Sequence, residues 1–250
     1  MPDRIEGIKL KIGRAKEHIR DLESVVVPFF DGYPYTYAAD LLPQISHYSV
    51  RLTTVEPLPP CIPVIVGDAI HNLRTVLDHL AWQLVEAGGG TPNGRTAFPI
   101  VAADAKAAQR YRSAVGQGEI VKMRPGAFKL LEAIQPYNGG DKALVEIHEL
   151  DIWDKHRLIL AVYAVLGAWG LKTPKIWFGE LGFGKAIEVG DEICRIPQDT
   201  WERSHENIRF GFYTAFGRPE IVRGESVLET LNKMDDAVAA VVSRFEEFLI

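Results

Sequence analysis

Residues 63–86, PVIVGDAIHNLRTVLDHLAWQLVE, constrain this chain more than any other stretch. Val66, Ile70, Leu73, Leu77, Leu80 and Leu84 recur at three- and four-residue spacing, which predicts one long helix with a buried face. Pro63 suits the first turn, where a missing N–H leaves no bond unmade, and Gly88, Gly89 and Gly90 supply a stop. The other face is not the Lys and Glu mixture of a merely solvated surface. It carries Asp68, His71, Asn72, Arg74, Asp78, His79 and Trp82, groups that bind, donate or titrate. That contrast is the main functional signal in the chain.

The flanking segments build a bundle around this helix. Ile5, Ile8, Ile12, Ala15, Ile19, Leu22 and Val26 form a helical stripe opposite charged residues, in a first helix that Pro28 is expected to end. Tyr33 to Ala38 and His47 to Val55 read as two strands of a hairpin. Short helices are expected within 102–115 and over Pro125 to Ile134, the latter ended by Gln135, Pro136, Tyr137 and Gly139–Gly140. A third long helix starts at Asp141 and runs through HELDIWDKHR; the following LILAVYAV is equally readable as more helix or as a buried strand. Residues 172–217 read as β, with candidate strands at 175–179, 186–189, 192–196 and 208–216. Ser226 to Leu249 reads as a closing helix with Leu228, Leu231, Met234, Val238, Val241, Phe245 and Phe248 inward. Clustered strands, rather than strands alternating with helices, predict an α+β fold. The expectation is a single domain over 1–250: a bundle of about four long helices with a small antiparallel β-sheet.

Bulk properties exclude several classes. The formal charge is −5, so no global basic field holds nucleic acid. Cys61 and Cys194 lie in separate segments without a CxxC pattern and read as reduced structural thiols. MPDRIEGIKLKIGRAK has no apolar core of signal-peptide length, and no run reaches the roughly 18 apolar residues of a membrane span. A cytoplasmic protein without membrane contact is expected. There is no Gly-x-Ser-x-Gly, Gly-x-Gly-x-x-Gly or Walker loop. Tyr33, Tyr35, Tyr37 and Tyr48 either line a ligand cleft or pack the sheet.

The chemistry concentrates in two helices. His71 and His79 are eight residues apart on one, His148 and His156 eight apart on the other, each pair with acidic neighbours. If the helices are antiparallel neighbours, Asp68, His71, His79, His148 and His156 form a candidate set for a divalent metal and a hydrolytic enzyme. Against this, eight residues leave paired imidazoles about 80° apart around the axis, and no Glu-x-x-His or His-Glu-x-x-His is present. Asp154, Lys155, His156 and Arg157 form a compact cluster able to contact an anionic ligand, or an ion-paired helix end.

Arg74-Thr-Val-Leu-Asp-His79, an arginine and a histidine on one helix of a bundle, resembles the HEPN superfamily of bacterial ribonucleases and nucleotide-binding proteins. The resemblance implies a homodimer in which Arg and His of two protomers line one metal-independent RNA-cleaving site. Arg74 would then stabilise phosphate charge and His79 act as general acid or base, with Asp78 beside them and no cofactor. Thr75 follows the arginine, where the family often has Asn, Asp or His. The segments HNLR..LDHLAW, QPY and DKHR also resemble a broader set of uncharacterised bacterial proteins, which brings no activity with it. On these residues His71, Asn72, Asp154, His156 and Arg157 are candidate ligand contacts. A non-catalytic binding or interaction protein, whose polar helices only fix packing, is the third reading.

Overall fold

The computed structural model describes residues 4–101, 106–134, 141–169 and 187–249. Among the described residues there are seven α-helices and five strands. The fold is α+β, mainly helical, with small antiparallel sheets. Three helices are long: α1 (Glu6–Asp31), α2 (Cys61–Ala87) and α7 (Val227–Phe245). Four are shorter: α3 (Ala107–Gln117), α4 (Pro125–Ile134), α5 (Lys142–Asp154) and α6 (Gln198–Ser204). The sequence expectation of about four long helices therefore becomes seven of unequal length. The chain divides into two compact units, one of Met1–Asp21, Val64–Leu158 and Glu229–Ile250, the other of Leu22–Pro63 and Ile159–Leu228.

In the first unit α2 is the best-buried helix. Val66, Ala69, Ile70, Leu73, Val76, Leu77, Leu80 and Ala81 are all sealed from solvent. Each valine, isoleucine or leucine among them contributes roughly 1.5–3 kcal/mol of hydrophobic stabilisation relative to exposure. The helix begins two residues before Pro63, which still lies in the first turn, where no N–H donor is needed. The amino-terminal part of α1 and α7 run antiparallel, with Lys9 3.1 Å from Glu246 and Lys16 3.4 Å from Asp235. α5 starts where expected: the Asp141 carboxylate caps it by accepting from the Ala143 N–H at 3.0 Å.

The second unit holds a three-stranded sheet in the order β1 (Tyr35–Leu42), β2 (His47–Val55), β4 (Glu192–Pro197). A two-stranded sheet pairs β3 (Leu160–Trp169) with β5 (Arg209–Arg218). Both are antiparallel. Their shared core includes Val50, Leu52, Cys194, Ile196, Phe210 and Phe212. Tyr35 and Tyr37 pack into it, edge-on to Phe212 and Phe210 at 4.6 and 5.0 Å between centroids. Tyr48 stacks on Trp201 at 5.4 Å. These tyrosines therefore serve sheet packing.

Several boundaries differ from expectation. α1 continues three residues past Pro28, whose own carbonyl stays free to accept: Gly32 donates to it at 3.1 Å. From Leu160 the run after DKHR is a strand: it pairs with β5, and its β-branched residues suit a pleated surface. Residues 187–189 form no strand, and α6, unanticipated, follows β4 directly. The candidate strand at 175–179, the Leu181-Gly-Phe-Gly turn and the segment 135–140 lie outside the described residues. No helix among the described residues is long and apolar enough to cross a membrane.

Candidate functional site

α2 and α5 are antiparallel neighbours. His71 Nδ1 donates to Asp151 Oδ1 at 3.0 Å, and one turn earlier the Asp154 carboxylate lies over Gly67. A Cβ on Gly67 would sit 2.5 Å from Asp154 Oδ2, so the missing side chain is what admits the carboxylate. Asp151 is only 3% exposed and also accepts from Lys155 Nζ at 2.6 Å. Burial, together with the neighbouring carboxylates of Asp151 and Asp68, pushes Asp154 above the usual range.

One turn further along α2 stands Arg74. It is 7% exposed. Its Nη2 donates to the Phe98 carbonyl at 3.0 Å and to Asp78 Oδ1 at 2.9 Å. Asp78 Oδ1 in turn accepts from the Phe98 N–H at 2.9 Å. The i, i+4 pair thus grips both backbone groups of Phe98 and fastens residues 91–101 to α2. Phe98 is itself buried, edge-on to Phe245 at 6.3 Å. Burial opposes both charges: it lowers Arg74 and raises Asp78, and each is offset by the other. Arg74, the arginine that the resemblance would place against phosphate, is thus buried here, with Nη2 engaged by Phe98 and Asp78.

His148 lies on α5 in the field of this pair. Burial, then the Arg74 charge, pushes its pKa down to about 4, so it is neutral at pH 7. Among the described residues neither His148 Nδ1 nor Arg74 Nη1 has a hydrogen-bond partner.

Beyond the clamp the polar face of α2 opens into a cleft of about 330 Å³ lined by Asp78, His79, Trp82, Gln83 and Thr96. His79 is exposed, and Trp82 is 39% exposed with its indole N–H donating to Glu86 Oε1 at 3.1 Å. Thr96 is held by its hydroxyl, which donates to the Gly118 carbonyl at 2.8 Å and accepts from the Asn93 N–H at 2.9 Å. The cleft thus has a rigid back wall, a half-open carboxylate, an open imidazole and a pinned aromatic ring.

The remaining predicted residues are dispersed. Asn72 donates to the Asp68 carbonyl at 2.8 Å. Arg157 lies over the Trp153 ring at 4.9 Å. His156 is exposed beyond the carboxyl end of α5. His71 is at the Asp151 contact, His148 beside Arg74, and His79 in the cleft. His79 is twelve residues from Gly67 and the Asp154 end, about 18 Å along the axis. The four histidines do not converge, and among the described residues no group of three or more His, Cys, Asp or Glu is arranged to hold a metal ion. Gln83 and Thr96 were missed; Gln83 adjoins Trp82 and was readable, whereas nothing in the sequence pairs Thr96 with α2. Comparison with protein-family models, with curated proteins and with solved structures returns no match.

Proposed function

We propose that the protein binds a nucleotide or RNA in the cleft beside His79 and Trp82. One observation carries this reading: an exposed imidazole, an exposed aromatic face and a fixed carboxylate share one cleft of about 330 Å³ on the most deeply packed helix. That volume suits a small ligand. Trp82 offers a stacking face for a base, and Asp78, Gln83 and Thr96 offer hydrogen-bonding groups for its edge. His79 is the cleft's proton-transfer group, an exposed imidazole with one ring nitrogen to donate and one to accept. With RNA bound, it takes the role of general acid or base in a metal-independent cleavage. Arg74 then acts indirectly, by holding Asp78 and the 91–101 wall in place.

The test is calorimetric titration of AMP and of a short RNA into wild type, His79→Ala and Trp82→Ala, with melting temperatures measured alongside. Both substitutions are on exposed side chains, so folding is expected to be kept. Loss of one stacked base corresponds to about 1–3 kcal/mol, or roughly five- to 150-fold in affinity. Wild-type affinity in both variants, or no binding by wild type, overturns the proposal.

A further inference from the structure

α2 and α5 keep a regular antiparallel register. Asp154 lies over Gly67, and Asp151 accepts from His71. One further step of three residues along each helix sets His148 across from Arg74, and the two lie within each other's field. Two atoms at this level are unlike the rest of the seam. Arg74 is 7% exposed, and its Nη2 makes both bonds to Phe98 and Asp78. Its Nη1 is sealed from solvent and has no hydrogen-bond partner among the described residues. His148 Nδ1, on the facing helix, is in the same condition, and of the two ring nitrogens it alone is.

A guanidinium N–H only donates, and an imidazole nitrogen without its proton accepts. The two atoms are therefore complementary, yet they make no direct bond. A charged donor sealed away without an acceptor is costly, so the seam calls for a group that joins them. That group must accept from Arg74, donate to Nδ1 and fit between two packed helices. An anion only accepts, and it would add negative charge where Asp78 and Asp151 already offset Arg74. A cation is repelled by Arg74 itself. One water molecule meets all three demands.

We propose that one ordered water bridges Arg74 Nη1 to His148 Nδ1, with the ring proton on Nε2, and that His148 thereby acts as a positioning residue for the cleft. Arg74 donates to the water, and the water donates to Nδ1. A lone pair rather than an N–H then points toward the guanidinium charge, and the bond made at Nδ1 sets the tautomer. The guanidinium is held on a third side as well as by Phe98 and Asp78, which keeps Asp78 and residues 91–101 in place at the cleft. The effect on the cleft rests on the nucleotide-binding reading; the bridge itself does not.

Two measurements on the wild-type protein need no ligand. Long-range nitrogen–proton correlation at pH 7 should show His148 protonated on Nε2 and bare on Nδ1. Cross-relaxation from a long-lived water should reach the Arg74 guanidinium protons. A proton on Nδ1, or no such water, overturns the bridge. A melting temperature that follows chloride concentration at fixed ionic strength puts an anion there and overturns it as well. AMP titration of His148→Asn, His148→Gln and His148→Leu tests the positioning role, with melting temperatures alongside. An asparagine amide oxygen reaches the place of Nδ1, whereas a glutamine amide reaches that of Nε2. His148→Asn should therefore keep wild-type AMP affinity, and the other two should lose roughly two- to tenfold. Equal AMP affinity in all three variants overturns the positioning role and leaves the cleft reading standing. Failure of wild type to bind AMP overturns the cleft reading and the positioning role together, while the tautomer and the water still decide the bridge.

Discussion

Arg74→Met separates a buried clamp from a ligand-facing arginine. The substitution keeps much of the apolar stem and removes the guanidinium. The Phe98 carbonyl then loses its charged donor, which costs roughly 1–2 kcal/mol for a buried acceptor. Asp78 loses its ion-pair partner and keeps the Phe98 N–H. Breaking a wholly buried pair costs about 3–5 kcal/mol, but the Asp78 side chain is 34% exposed, so water reduces this part to about 1–2 kcal/mol. Together the expected loss is about 3 kcal/mol in urea denaturation, with an unchanged m-value. Hydrogen exchange should speed up at the Phe98 amide as residues 91–101 loosen. A double-mutant cycle with Asp78→Asn should show coupling of about 1–2 kcal/mol, since the two residues hold the same backbone unit. A loss below about 0.5 kcal/mol, combined with abolished nucleotide binding, would refute the clamp and put the guanidinium on the ligand.

Three further outcomes follow from the same geometry. His148 has a folded pKa of about 4 against 6.5 for the free side chain, so the unfolded chain binds the extra proton between these values. Its contribution is fully present above pH 6.5 and is lost as pH falls toward 4, reaching roughly 3 kcal/mol. Asp78, Asp154 and Asp235, whose pKa values burial raises, work in the opposite sense. Urea midpoints from pH 7.5 to 4 should therefore fall less steeply in His148→Gln than in wild type; parallel curves would contradict this. Gly88→Ala places a Cβ against the Lys122 carbonyl and the backbone of Met123 and Arg124, and should cost about 3 kcal/mol by thermal denaturation, whereas a neutral result would show that the contact is loose. Cys61 is exposed, while burial pushes the Cys194 thiol up to about 12. Ellman's reagent should thus find one fast thiol in the native protein and two in denaturant; two fast thiols would contradict the burial of Cys194.

Long, strongly periodic elements were legible in the sequence. The apolar stripes of α1, α2 and α7 and the Asp141 cap of α5 identify these helices because their signals are local. The run 158–165 was ambiguous because the partner of its strand is about fifty residues away in β5, and pairing, not periodicity, makes it a strand from Leu160 on. α6 is too short for a helical period to register. The Gly88–Gly90 triplet was read as a helix stop, and Gly89 with φ of +84° fits that reading. Gly88 and Gly90 instead admit the close approach of residues 122–124, which no local pattern encodes.

The site was legible in the same uneven way. The unusual polar face of α2 was visible, and three of its seven residues, Asp78, His79 and Trp82, line the cleft. The role of Arg74 was hidden, because spacing places a side chain on a face without saying that residues 91–101 cover it. The eight-residue histidine pairs suggested convergence, but antiparallel packing leaves only His71 and His148 near Asp151, with His79 in the cleft and His156 beyond the end of α5. Thr96 is fixed in the cleft wall by a local bond to Asn93 and a long-range one to Gly118, which no local pattern encodes.

The most direct measurement is tryptophan emission of wild type and Trp82→Phe during titration with AMP. Capture of the base on the Trp82 ring should give a saturable quench in wild type that is absent in Trp82→Phe, whose other tryptophans stay in place. An equal quench in both proteins, or none in either, would contradict the assignment of the cleft as a nucleotide site.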